Sequence, residues 1–132
     1  MILLDTHAAI WFITDSGLGR RSRSIADAAL ADDRLTMSAI SFWEIAMLVA
    51  KRRLRSVDSA GELRRTVLDA GIHEAPLTGD IGILASNLEG LHGDPADRFI
   101  VATAIAGDAT LITADQRLLR WRGKLNRHDA DK

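Results

Sequence analysis

Short apolar runs alternate along the chain with longer stretches in which apolar residues recur every three to four positions. That alternation predicts strands interleaved with helices. Ile2-Leu3-Leu4 is a brief apolar run ending at a carboxylate, as a buried central strand would be. Ala8 to Ile13 is apolar on every side and reads as a short helix buried between layers. Gly17 to Ala31 sets Leu18, Ile25, Ala28, Ala29 and Leu30 against Arg20, Arg21, Arg23 and Asp27, an amphipathic helix. Leu35 to Met37 predicts a second strand, with Ser41 as N-cap of a helix running to Leu54. In that helix Phe42, Ile45, Ala46 and Val49 keep the i, i+3, i+4, i+7 spacing, and Lys51 to Arg55 places cations at its negative end.

Further on, Ser59 to Ala70 predicts a helix stopped by Gly71. Glu74 to Leu77 predicts a third strand, which Pro76 assigns to an edge or a strand end. Ile81 to Leu88 continues helically. Asp94-Pro95 opens a helix to Ala106, with Asp94 as N-cap and Pro95 at the first helical position. Thr110 to Thr113 is the fourth strand, Asp115 begins a short helix, and Lys124 to Arg127 forms a last short strand. The sum is an α/β fold, a parallel sheet with helices on both faces.

A length of 132 residues, two prolines and no Ser/Gly-rich linker predict a single domain over residues 1–132. With 47% hydrophobic and 27% charged residues the composition is globular. Cysteine is absent, which excludes a disulfide framework, a thiolate nucleophile and Cys-bound zinc. A net charge of −1 gives no global basic field, so nucleic-acid contact would depend on local patches. The first residues lack a signal-peptide pattern, and the most apolar run, Ile40 to Ala50, is interrupted by Glu44 and falls short of the ~20 residues that cross a bilayer. A cytoplasmic protein without membrane contact is the expectation.

Of the 18 acidic residues 14 are Asp, an excess that capping and turns explain only in part. Ligands of parallel sheets sit beyond the carboxyl ends of the strands. The residues predicted there are Asp5 after the first strand, Glu44 in the first turn after the second, Asp94 and Asp97 opening a helix, and Asp115 after the fourth. Each has a plain structural explanation, Asp94 and Asp115 as N-caps, Asp97 as half of a capping box, and Asp5 as a strand end. Glu44, set among Phe42, Trp43, Ile45 and Met47, is the hardest to explain structurally, since a half-buried carboxylate needs a cation or a donor. Converging carboxylates repel unless a hard divalent cation such as Mg²⁺ or Mn²⁺ joins them, and the chemistry that follows is phosphodiester hydrolysis. Phosphate-binding glycine loops, paired zinc spacings and a serine-hydrolase context are missing, and His7 lies near the rim.

Taken together, Leu3-Leu4-Asp5-Thr6-His7, Ser38-Ala-Ile-Ser41-Phe-Trp-Glu44-Ile, Asp94-Pro-Ala-Asp97-Arg98 and Thr113-Ala-Asp115 resemble the PIN domain, especially the VapC toxins of type II toxin–antitoxin systems. The resemblance covers essentially the whole chain. It implies a three-layer sandwich around a mostly parallel sheet of four to five strands. It also implies an endoribonuclease dependent on Mg²⁺ or Mn²⁺, cleaving RNA with metal-activated water at an acidic quartet. Matched motif by motif, the quartet is Asp5, Glu44, Asp97 and Asp115, with Thr113 and Asp94 in support. A VapB-type antitoxin and a homodimer or toxin–antitoxin hetero-oligomer are implied as well. The tail from Arg117 to Lys132, with six Lys or Arg against two Asp, departs from the family pattern. That tail, Arg20 to Arg23 and Lys51 to Arg53 are candidate RNA-backbone contacts or simply solvated faces. Two alternatives stay open: a haloacid-dehalogenase-like phosphatase, which wants an acid where His7 stands, and a non-enzymatic phospho-acceptor domain.

Overall fold

The computed structural model describes all 132 residues. Strands β1 (Ile2–Leu4), β2 (Leu35–Ser38), β3 (His73–Ala75), β4 (Thr110–Thr113) and β5 (Asn126–Asp129) form one sheet in the order β3-β2-β1-β4-β5, every pairing parallel. Seven helices connect and cover them: α1 (Thr6–Ile13), α2 (Arg20–Ala31), α3 (Ala39–Ala50), α4 (Ala60–Asp69), α5 (Gly79–Ser86), α6 (Pro95–Ala106) and α7 (Gln116–Leu119).

The period of two in a strand sorts the apolar residues into two cores. Leu4, Leu35, Met37 and Ile112 pack under α1, α2 and α4, whereas Leu3 and Leu111 pack under α5, α6 and α7. From β1 the chain winds outward through β2 to β3, then returns to place β4 on the other side of β1. The order therefore reverses between β1 and β4, and the carboxyl ends of these strands open a crevice there.

Several boundaries move from the expectation, each for a local reason. Ser38, not Ser41, caps α3: β2 runs straight into the helix, and the Ser38 hydroxyl accepts the Ile40 amide. Ser41 turns inward and is buried, and Glu44 lies in the second turn. That helix stops at Ala50 rather than Leu54, because Arg52 adopts a left-handed backbone (φ 56°). The cations follow the helix instead of occupying its last turn. Strand β3 ends before Pro76, which has no amide to donate, and it is an edge strand as predicted. The last strand begins two residues later than expected, at Asn126.

Helix α1 is only half covered. Thr6, Ala8, Ala9 and Ile10 are buried, but Trp11, Phe12 and Ile13 are partly exposed. On α3, Trp43 and Met47 are 55% and 38% exposed. No helix is long and apolar enough to cross a membrane.

Candidate active site

Each strand end at the crevice hands its carboxylate to the helix that follows. Asp5 leaves β1 and caps α1, its Oδ1 accepting the Ala8 amide at 2.9 Å. Asp115 follows β4 and caps α7, its Oδ1 accepting the Arg117 amide at 2.9 Å. Asp94 caps α6 through the Asp97 amide at 3.0 Å, which frees the Asp97 side chain for the crevice. The capping explanation thus holds for Asp94 and Asp115, and Asp5, expected only to end a strand, is a cap as well; capping does not exclude a second role. An N-cap fixes one carboxylate oxygen at a helix terminus and leaves the other available.

Asp5, Glu44, Asp94, Asp97 and Asp115 line one cleft of about 440 Å³ together with Thr6, His7, Trp11 and Arg117. Thr113 lies beneath it. Its hydroxyl oxygen accepts the Asp115 amide at 3.1 Å, and the same hydroxyl serves the Asp5 carboxylate. All six positions singled out from the sequence therefore meet at one rim, although they come from segments separated by up to 110 residues.

The electrostatics are unbalanced toward negative charge. Burial pushes the Asp5 carboxyl above its ordinary range against the hydrogen bonds of Thr113 and Ala8. Glu44 is also raised by burial, opposed by the Thr6 hydroxyl and reinforced by Asp97 and Asp94. Burial raises Asp97 as well, with His92 opposing and Asp94 and Asp115 adding to the rise. Asp115 alone among these is lowered, because the Arg117 side chain donates to it. Burial disfavours the charged form at Asp5, Glu44 and Asp97, three carboxyls that line one cleft.

Four contributors were not legible from sequence spacing. Thr6 donates to Glu44 across 38 residues, and the Ser41 hydroxyl lies 2.9 Å from that of Thr6. A hydroxyl has one proton, so with Thr6 committed to Glu44 it is Ser41 that donates to Thr6. His92 Nε2 donates to Asp97 Oδ2 at 2.7 Å, while its Nδ1 is buried without a partner. His92, Asp97 and Asp115 bring one ligand atom each within 4.8 Å of the others. Arg117 folds back so that Nη2 lies 2.9 Å from Asp115 Oδ2 and 3.4 Å from Asp97 Oδ2. These contacts are products of tertiary packing; in the sequence Thr6 and Ser41 stand within the motifs and His92 and Arg117 close to them, with no sign of their partners.

The donors are nearly all carboxylate oxygen, in excess of the cations present. That set suits a hard divalent ion, with His92 a hydrogen-bond partner of Asp97 at its edge.

The family model for the PIN domain matches residues 2–124. Ribonuclease VapC22 of Mycobacterium tuberculosis is 32% identical over 125 residues, 92% of either chain. Among solved structures, VapBC2 of Rickettsia felis bound to a DNA fragment from its promoter superimposes with a TM-score of 0.68 at 20% identity, covering 97% of this chain and 98% of that one. FitAcB of Neisseria gonorrhoeae gives 0.67 at 20% identity, with 98% of both chains covered. The last two likenesses concern the fold.

Proposed function

Since the chain belongs to the PIN-domain family, we propose that its acidic cleft is the active site of a VapC-type ribonuclease, the toxin of a toxin–antitoxin pair. The observation that carries this reading is the meeting of Asp5, Glu44, Asp97 and Asp115 at the β1–β4 crevice, three of them with raised pKa. Family membership sets aside the phosphatase and phospho-acceptor alternatives, and His7 stands where the phosphatase would need its second acid.

Asp5, Asp97, Asp115 and Glu44 would hold Mg²⁺ or Mn²⁺. When bound, such an ion stabilises charge on a phosphoryl oxygen and makes a water nucleophilic near neutral pH. The protein's own part is preorganisation. Thr113 ties Asp5 to the Asp115 backbone, Thr6 holds Glu44, and His92 donates to Oδ2 of Asp97. Ligands fixed by outer hydrogen bonds bind metal with less loss of conformational freedom. Arg117 sits at the mouth, 59% exposed, able to follow a phosphate as readily as the carboxylates.

The partner is a small VapB-type antitoxin whose amphipathic helix covers the apolar residues of α1 and α3, among them Trp11, Phe12, Trp43 and Met47. A partner arginine entering the cleft would find the contacts that Arg117 now makes. The test is RNA cleavage by the purified chain in EDTA and after addition of Mg²⁺ or Mn²⁺, with and without the product of the adjacent small gene. Cleavage restored by metal and suppressed by that product is the expected result. Cutting that survives EDTA contradicts the mechanism, and a neighbour that neither binds nor inhibits contradicts the toxin assignment.

A further inference from the structure

A second cleft, of about 340 Å³, adjoins the acidic one and shares Arg117 with it as a common wall. Its remaining lining is Arg120, Trp121 and Arg122 after α7, faced by Glu89 and Gly90 after α5. Three guanidiniums meet one carboxylate there, the reverse of the balance next door. Arg117 is engaged with Asp115 and Asp97, whereas Arg120 and Arg122 are exposed and take part in no ion pair. Two charges left unpaired beside a cleft are available to a ligand.

The indole between them is fixed in place. Trp121 Nε1 donates to the Glu89 carbonyl at 2.9 Å, and Gly90 turns beneath it with φ +75°. At Gly123 a Cβ would stand 2.1 Å from the indole ring, so only glycine lets the backbone pass this close. Arg127 braces the same loop by donating to the Leu118 and Gly123 carbonyls. The ring stays partly exposed despite these restraints.

We propose that this cleft is a nucleotide subsite for the RNA strand, in which Arg120 and Arg122 hold phosphates next to the scissile one and Trp121 stacks one base. The proposal rests on the ribonuclease reading and extends it. A strand whose scissile phosphate lies among the carboxylates passes Arg117 to leave the cleft, and the arginine-lined space is on the other side of that residue. The pairing of free guanidiniums with a rigid indole is the chemistry of single-strand binding, in which charge follows the backbone and an aromatic face takes any base. The volume falls within the roughly 300–1,000 Å³ of small-ligand pockets and suits one nucleotide at a time.

The test is anisotropy of a fluorescent single-stranded RNA bound to the full chain in EDTA, over a series of NaCl concentrations. Arg120→Gln/Arg122→Gln should weaken binding about tenfold and reduce the slope of log Kd against log salt by about 1.4, from two phosphates at about 0.7 each. Trp121→Leu should weaken binding with the slope unchanged, and Trp121→Phe should restore most of it. Arg55→Gln/Arg65→Gln makes the same charge change around α4 and serves as the reference. Wild-type affinity and slope in Arg120→Gln/Arg122→Gln overturn the subsite, as does an equal loss in the reference pair. An acidic peptide that depends on the same arginines while RNA does not also overturns it. Wild-type RNA cleavage with metal is scored in the same preparation, so a failed subsite and a failed ribonuclease reading give different results.

Discussion

The Asp5 carboxylate caps α1 and yet lies buried beside other carboxylates, so its structural and chemical duties can be separated by substitution. Asparagine keeps the oxygen that accepts the Ala8 amide, and it is as good an N-cap as aspartate. Asp5→Asn should therefore abolish RNA cleavage while leaving the metal-free protein no less stable in thermal melts. The pH dependence has a definite sign. A carboxyl whose folded pKa lies above its ordinary value of 3.8 binds more protons folded than unfolded, so stability falls as pH rises from 3.8 through the folded pKa. Asp97 and Glu44 act in the same direction; Asp115, lowered by the exposed Arg117, opposes them weakly. Metal-free melts across that range should decline with pH, and the decline should be shallower for Asp5→Asn. His92 is the second residue to separate. His92→Ala should weaken Mn²⁺ binding roughly tenfold by calorimetric titration, and His92→Gln, which keeps a donor, should retain most of it.

At the scale of elements, α6 contributes both a site carboxylate and the anchor for the loop that reaches it. Arg98, next to Asp97, donates to the carbonyls of Ala85, Ser86, Leu88, Leu91 and His92. One planar guanidinium thus ends α5, shapes the loop to α6 and sets His92 against Asp97. A lysine carries its three donors on one nitrogen and cannot span that fan of five carbonyls. Arg98→Lys should lower unfolding stability by about 2–3 kcal/mol in denaturant titrations, since charged hydrogen bonds to partly buried carbonyls are lost. It should weaken Mn²⁺ binding as well, through His92. The C-terminal segment is held in the same backbone-directed way: Gly19 and Arg21 donate to the Ala130 and Lys132 carbonyls at 2.8 Å. The tail that departed from the family pattern is therefore tied to α2 and carries β5.

For the whole molecule, the acidic cleft concentrates like charge that a bound cation would relieve. Should Mg²⁺ bind with a Kd of about 1 mM, 10 mM would add about 1.4 kcal/mol to stability by mass action. Thermal melts should show that gain beyond matched NaCl, and Asp5→Asn should remove it. The molecule also separates its charges despite a net of −1. Carboxylates fill one cleft, guanidiniums line the next, and Arg117 is common to both. A phosphodiester strand lying across that boundary would meet cations along its length and carboxylates only where the metal sits.

The sequence by itself determined the layers and most of the carboxylates. Leu3 and Leu4 alternate between two cores, Asp94-Pro95 starts a helix, and Asp5 and Asp115 end strands, all from contacts a few residues apart. Local rules govern strand ends and caps, so residues set there are visible in a linear pattern. The start of α3 is ambiguous in sequence because Ser38 and Ser41 are equally good caps, and the burial of Ser41 against Thr6 leaves the cap to Ser38. Tertiary structure alone decided that Thr6 would hold Glu44, that His92 would turn to Asp97, and that Arg117 would close over two carboxylates. Those partners are brought together by strand order and helix packing, which join segments far apart in the chain and leave no periodic trace in it.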